Sequence, residues 1–347
     1  MVRGFLALLL FSTAVMPHFV SATVVSEDIG ELKIHDLLLR PYFMLGEGKQ
    51  SNFSIGESSF ALRWELEKKF AGVVRIGPES LINPSAHFVK TVPDEVTLVE
   101  AFAEYNDVYG RFRMGRLPVE FGLEGRKWER ELVFPRSLLF QNRAMMLRDM
   151  GVAYDISQNN WYTGFVIHNG NSGDNTDGRT WYTARWGYKS DDFEIGATGQ
   201  TGSTLPDATV ASGDTLAGVD TSKAAKWRLA GLYGTVSSKK WEWSLESYMG
   251  ELEQDLTSTK FATGHTDLSY MWTKRFSTHV RYDFFDPDLE LYGDQQKAAS
   301  LALQFSNNSH SSNLILVGTK SFGELHTTRN DEIRLIWSLS PAGIVRF

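Results

Sequence analysis

The chain contains no cysteine, which excludes a disulfide framework, thiol chemistry and cysteine–zinc sites. It also lacks a positive balance: 35 Lys and Arg against 42 Asp and Glu leave −7 at pH 7. A nucleic-acid binder would show a dominant basic face, so that class is set aside. Long apolar runs are missing as well. The longest, Phe5 to Met16, falls short of the roughly 20 residues a membrane-spanning helix needs. No Gly-x-Ser-x-Gly elbow and no HExxH pair occurs among the 347 residues, and the scattered histidines match no catalytic pattern. An enzyme is therefore not expected, and neither a catalytic residue, a metal site nor a cofactor is assigned.

The short apolar run has its own explanation. Arg3 precedes it and Val20-Ser21-Ala22 follows, small residues at the spacing of a cleavage site. This is the layout of a secretory signal peptide. Residues 1–22 are read as that segment and residues 23–347 as the mature domain.

What the chain has in abundance is aromatics, 13% of all residues, and period-2 alternation. In Ser59–Lys68, Phe60, Leu62, Trp64 and Leu66 oppose Arg63, Glu65 and Glu67. Trp241, Trp243 and Leu245 oppose Glu242, Ser244 and Glu246, and Val280, Tyr282 and Phe284 oppose His279, Arg281 and Asp283. Ile333, Leu335, Trp337 and Leu339 share one face. Successive side chains of a strand point to opposite faces, so this period predicts strands. Connections alternate between short (67–70, 106–108, 158–160, 190–192, 237–240, 274–277, 306–312) and long (46–57, 78–95, 118–149, 169–179, 202–226, 250–266, 287–296, 321–331). Short turns on one side and long loops on the other are the mark of an outer-membrane barrel. The fold expected is all-β: a transmembrane, antiparallel, up-and-down β-barrel of about 16 strands. Closure pairs every backbone group, which lipid requires. Tyr42, Tyr105, Tyr109, Trp161, Trp181, Tyr188, Trp227, Tyr233, Trp241, Tyr270, Trp272 and Tyr292 are expected to form interfacial girdles. A soluble β-sandwich is the competing architecture, but strand segments near ten residues are long for it. Asp174–Gly178 has a calcium-like look but misses EF-hand ligand spacing, and reads as a turn. The terminal Phe347 is similar to the C-terminal aromatic of outer-membrane barrels.

One stretch departs from the chain's acidity. From Arg111 to Arg148 there are nine basic residues (Arg111, Arg113, Arg116, Arg126, Lys127, Arg130, Arg136, Arg143, Arg148) against four glutamates, a local net of +5. The blocks Gly110–Arg116, Glu120–Glu124, Phe134–Leu138 and Arg148–Val152 within Tyr109–Asp155 resemble the phosphate-selective porin family, the O/P-type trimeric porins. That resemblance implies a 16-stranded barrel, a homotrimer, a long loop folded into the lumen and basic residues along an anion path. Outside these 47 or so residues the likeness is only barrel-like, and the acidic whole does not match phosphate selectivity.

The residues themselves support part of this. Arg111 and Arg113 alternate with Phe112 and Met114, and an arginine facing lipid at mid-membrane costs about 2–4 kcal/mol. Both should face the lumen, either attracting anions or pairing with carboxylates such as Glu100 and Glu104 on the preceding strand. Leu138, Leu139, Phe140, Met145, Met146 and Leu147 make the 118–149 loop too apolar to hang in water, so it is expected to fold inward. Arg126, Arg130, Arg136, Arg143 and Arg148 would then join Arg111 and Arg113 in lining the pore. Arg63, Glu65, Arg185, Arg228, Glu242, Glu246, Asp267, His279, Arg281, Asp283 and Arg334 are further inward candidates. The expectation is a passive diffusion channel, anion-preferring through these arginines, in the outer membrane of a Gram-negative bacterium. Its partners would be membrane lipid and small hydrophilic solutes or inorganic anions. A structural or adhesive barrel with partner-binding loops is the alternative, and a barrel-embedded hydrolase, which needs a Ser–His or Asp–His pair at the rim, is a third.

Overall fold

The computed structural model describes residues 24–340 except 27–29, 47–50, 68, 83–95, 143, 171–178, 205–223, 308–310 and 323–330. Segment 1–22, Arg143, Asp174–Gly178 and Phe347 lie outside the described residues.

The alternation does become strands. Among the described residues there are nineteen strand segments in one sheet. They are β1 (Val24–Ser26), β2 (Gly30–Leu38), β3 (Tyr42–Gly46), β4 (Asn52–Ser54), β5 (Ser59–Leu66), β6 (Phe70–Pro78), β7 (Val96–Asn106), β8 (Arg111–Pro118), β9 (Arg148–Gln158) and β10 (Trp161–His168). The rest are β11 (Trp181–Lys189), β12 (Phe193–Thr204), β13 (Ala225–Ser237), β14 (Trp241–Gln254), β15 (Thr257–Thr273), β16 (Phe276–Asp286), β17 (Gln296–Ser306), β18 (Ser312–Phe322) and β19 (Glu332–Leu339). From β5 to β19 each strand pairs antiparallel with the next.

The ladder closes through one split strand. β2 pairs with β5, whereas β3, just beyond Pro41, pairs with β19 on one edge and β4 on the other. At the break Leu39 and Leu339 exchange both backbone bonds (2.9 and 2.7 Å), and Trp337 N donates to Pro41 O at 3.0 Å. Proline has no N–H to give a ladder, so it sits where the run changes partners. With β2 and β3 taken as one stave and β4 and β5 as another, the described strands form a ring of sixteen. β1 adds a short pairing beside β2.

The ring is apolar outside and polar inside. Trp64, Met114, Ile195, Leu232, Leu245, Val280, Leu301 and Ile333 are exposed on the outer wall. Trp161, Trp186, Tyr188, Trp241, Trp243, Tyr270 and Trp272 lie toward the short turns, where Trp161 and Trp186 stack with centroids 4.9 Å apart. Among the residues expected in the girdles, Tyr42, Trp181, Trp227 and Tyr233 are instead buried inside. Strand parity decides this: they fall on inward positions, and proximity to a strand end does not override the period of two.

Among the described residues the short connections stand as expected, two of them with non-glycine residues at positive φ, Glu67 (53°) and Asn159 (54°). Two long connections do not. Segment 46–57 contains β4 and part of a hairpin. Segment 250–266 is hardly a loop at all, because β14 and β15 run to a two-residue turn at Asp255–Leu256. Beyond Met249 the outward positions are Glu251 and Glu253. Loss of apolar residues there marks where the strands leave the apolar band, not where they end.

Candidate functional site: the inward loop and the charged lumen

Pro118 ends β8, and the chain to Leu147 turns inside the barrel. Its neck is closed by Val119 N donating to Leu147 O at 2.9 Å. The loop carries short helical turns at Glu124–Arg126, Glu129–Glu131 and Leu138–Gln141. Val119, Phe121, Leu138, Leu139, Phe140, Met145 and Leu147 are buried against Trp181, Trp227, Leu229, Tyr248, Phe261 and Phe285 of the wall. Each large side chain so buried contributes roughly 1.5–3 kcal/mol. That apolar cluster brings the loop in, as its composition required.

Polar contacts then fix its position. The Glu246 carboxylate on β14 accepts the backbone N–H of Leu123 (3.0 Å) and of Glu124 (2.6 Å), and also the Tyr248 hydroxyl. Gly122 makes this approach possible: its φ is +66°, and a Cβ there would lie about on top of the Tyr248 and Glu246 oxygens. On β16, Arg281 donates to Glu124 and to the Pro135 carbonyl, each at 2.9 Å, while its other nitrogens hold Asp267. Arg40 donates to the carbonyls of Glu129 and Leu132 from the opposite wall. Burial pushes the Glu124 carboxyl up, but Arg281, His265 and Arg136 outweigh it and bring it down to about 2. Glu129 is likewise desolvated, yet Arg148 and Arg136 hold it well below the usual carboxylate range.

Each sequence-expected arginine among the described residues has a definite place. Arg111, 40% exposed, lies 3.1 Å from Asp155 and 3.5 Å from Glu120. Arg113 is buried, 2.7 Å from Asp155 and 3.0 Å from Glu120, with Phe112 and Met114 on the outer wall. Arg126 pairs with Glu194, donates to Gly122 O at 2.7 Å and lies over the Tyr162 and Tyr233 rings. Arg130 reaches Asp36 at 3.3 Å. Arg136 pairs with Glu129 at 3.0 Å and donates to the Lys127 carbonyl. Arg148 bridges Glu100 and Glu129, both at 2.9 Å. All six described arginines of this group therefore have carboxylate partners. Glu100 and Glu104, suggested as partners for Arg111 and Arg113, serve others: Glu104 takes Arg63, and Glu100 takes Arg75 and Arg148. Arg185 completes the Glu120–Asp155 group, 2.5 and 2.7 Å away.

Two arginines of the lattice were not singled out from sequence. Arg75 interrupts Val73-Val74-Arg75-Ile76 at an inward position, and the period of two could have found it. Arg40 stands between Leu39 and Pro41 in an apolar run; its polarity is visible, but the loop carbonyls it holds lie about ninety residues away.

A second group of cations gathers elsewhere. At the short-turn mouth a cavity of about 330 Å³ is lined by Lys239, Lys240, Lys274 and Arg275 from the turns, Lys127 from the loop, and His279, with Glu131, Glu242 and Asp267 also on its wall. Lys239, Lys240 and Lys274 make no ion pair among the described residues, and Lys127 approaches Glu242 only to 3.9 Å. His279 is held between Ser269 (2.7 Å) and Ser277 (2.8 Å), one hydroxyl on each ring nitrogen. A second histidine, His168, is buried in the wall, 2.8 Å from Asp149 and 3.0 Å from Thr183.

No protein-family model matches this chain, and no curated protein sequence does. Solved structures do. OmpT, an outer membrane protein of Vibrio cholerae in its trimer form, is 11% identical over 88% of this chain and 98% of its own, with a TM-score of 0.66. The anion-selective porin from Comamonas acidovorans is 11% identical, covering 89% and 99% with a TM-score of 0.63. The outer membrane channel DcaP of Acinetobacter baumannii is 10% identical, covering 92% and 99%, again at 0.63. Likeness at such identity speaks for the backbone, and the chain is an all-β, antiparallel up-and-down barrel of the architecture these outer-membrane proteins share.

Proposed function

We propose that this protein is an outer-membrane porin, a passive diffusion channel for small hydrophilic solutes with a preference for anions. One observation carries the reading: a closed barrel, apolar outside, encloses a loop that is fixed across a charged lumen. A loop anchored at Glu246, Arg281, Arg40 and Arg148 narrows the interior with a fixed geometry, as a size-selecting channel requires. The anion preference is supported by Lys239, Lys240 and Lys274 at the short-turn mouth, which make no ion pair among the described residues, together with the half-exposed Arg111. Arg113, Arg126, Arg130, Arg136 and Arg148 act on permeant ions as parts of neutralised pairs, so they shape the passage more than they charge it. Residues 1–22 direct export to the outer membrane of a Gram-negative cell, and the functional unit is a homotrimer, as the O/P-type resemblance implies. That resemblance does not carry phosphate selectivity over.

Hydrolysis is not proposed. A triad histidine needs one nitrogen on the nucleophile and the other on an orienting carboxylate. His279 has serine on both nitrogens, and the His168–Asp149–Thr183 chain is sealed inside the wall. Planar-bilayer recording of the purified protein tests the channel. Stepwise currents with a reversal potential displaced toward anions in a salt gradient are expected. Closed traces under all conditions would leave a structural or adhesive barrel.

A further inference from the structure

We propose that the neck of the β16–β17 connection binds a calcium ion between Asp286 and Asp294. Asp286 ends β16, and Asp294 and Gln295 precede β17. The last register pair is Phe285 with Gln296, which places Asp286 opposite Gln295 and next to Asp294 across the neck. Gln295 Nε2 donates to Asp286 Oδ2 at 2.9 Å. Asp286 is 4% exposed and Asp294 5%. Asp286 Oδ1 and both oxygens of Asp294 are buried without a hydrogen-bond donor.

Three carboxylate oxygens out of water with no donor are costly unless a cation or a proton meets them. Gln295 already serves the one remaining oxygen. Asp288, on the same connection, accepts from Glu290 N at 3.0 Å and so is engaged with its own turn.

The donor set selects the ion. It is all oxygen, with no thiolate and no imidazole, which suits calcium or magnesium and not zinc or copper. Among the described residues no three acidic or histidine side chains converge on a metal position. Two carboxylates must therefore be joined by backbone carbonyls, the Gln295 amide oxygen or water. Calcium accepts such irregular sets of six to eight ligands, whereas magnesium demands a near-ideal octahedron. With so few charged ligands the affinity belongs to the weak class of extracellular modules, on the order of 10⁻⁴–10⁻³ M. The neck also touches the inward loop, because Gln296 Oε1 accepts from Asn142 Nδ2 at 3.1 Å. A cation at this point would secure one end of that contact.

The test is independent of channel activity. Full-length mature protein, refolded from inclusion bodies into detergent so that no lipopolysaccharide brings in calcium, is melted in EDTA and in millimolar CaCl2. Terbium is titrated as a luminescent stand-in, sensitised through Tyr292 on the same connection. Calcium should raise the melting temperature of the wild type and displace terbium, and both effects should vanish in Asp294→Asn and in Asp286→Asn. No calcium shift in the wild type overturns the proposal. So does a shift of equal size in the two variants, which would put the ion elsewhere. Asparagine variants more stable than the wild type in EDTA, with a calcium-insensitive wild type, would mean that a shared proton holds the pair. If one variant fails to refold, the other and the calcium–terbium competition on the wild type decide.

Discussion

The basic segment around the inward loop and the short-turn mouth both carry clustered cations, yet they are built in opposite ways. In the first, every described arginine expected to line the pore meets a carboxylate, and Arg113, Arg136 and Arg148 are buried. In the second, Lys239, Lys240 and Lys274 stand on exposed turns without ion-pair partners among the described residues. Buried guanidinium groups need fixed partners because desolvating an unpaired charge costs several kcal/mol. Lysines on wet turns need none. A dense run of positive charge in sequence is therefore no measure of field: in the first region it is structure, and in the second it is free charge.

Breaking the structural region should give the largest effect. Arg281→Ala would leave the buried Glu124 without its ion-pair partner and take from Asp267 its arginine, a loss of about 3–5 kcal/mol. Thermal melts should fall, and single-channel records should become noisy as the loop loses its anchor; unchanged melts and quiet channels would show that the loop is held by its apolar cluster alone. Next comes Gly122→Val. A side chain at φ +66° would strike Tyr248 and Glu246, and strain of this sort costs about 1–3 kcal/mol, read as a lower melting temperature and altered conductance.

Breaking the free-charge region should leave stability alone and move selectivity. Replacing Lys239, Lys240 and Lys274 together by Glu should shift the zero-current potential toward cations at low salt. The shift should shrink above about 0.1 M, where screening acts within roughly 10 Å. The same potential measured in Arg136→Gln should hardly move unless the fold is disturbed. If the order is reversed, the neutralised lattice sets the field after all.

The smallest effect expected is with acid. Glu124 has its carboxyl lowered to about 2, so the stability it contributes is fully present above its unfolded value near 4.3. It is lost as pH falls from there through about 2. Tryptophan fluorescence and conductance followed from pH 7 to pH 3 should show the loop still docked down to about pH 4. Undocking near neutrality would assign control to another group.

Much of the barrel was legible because strand parity is local. Trp64, Phe112, Trp243 and Val280 face outward, and Arg63, Arg113, Glu246 and Arg281 inward, as the period of two reads. Misplaced features share one cause. Trp181, Trp227 and Tyr233 looked like girdle residues because they lie near strand ends, but they fall on inward positions, where the inward loop gives Trp181 and Trp227 apolar partners and sets Arg126 over Tyr233, contacts that no local window contains. The β14–β15 extension looked like a loop because its outward positions turn acidic above the apolar band.

The sequence alone determined the strand period, the side of each strand that meets lipid and the apolar character that draws residues 118–149 inward. Those properties depend on neighbours within a few positions. Only the tertiary structure decided which carboxylate neutralises which arginine, because Arg130 and Asp36, Glu124 and Arg281, or Arg113 and Asp155 lie tens to more than a hundred residues apart. It therefore also decided which of the many cations remain free to act on a passing ion.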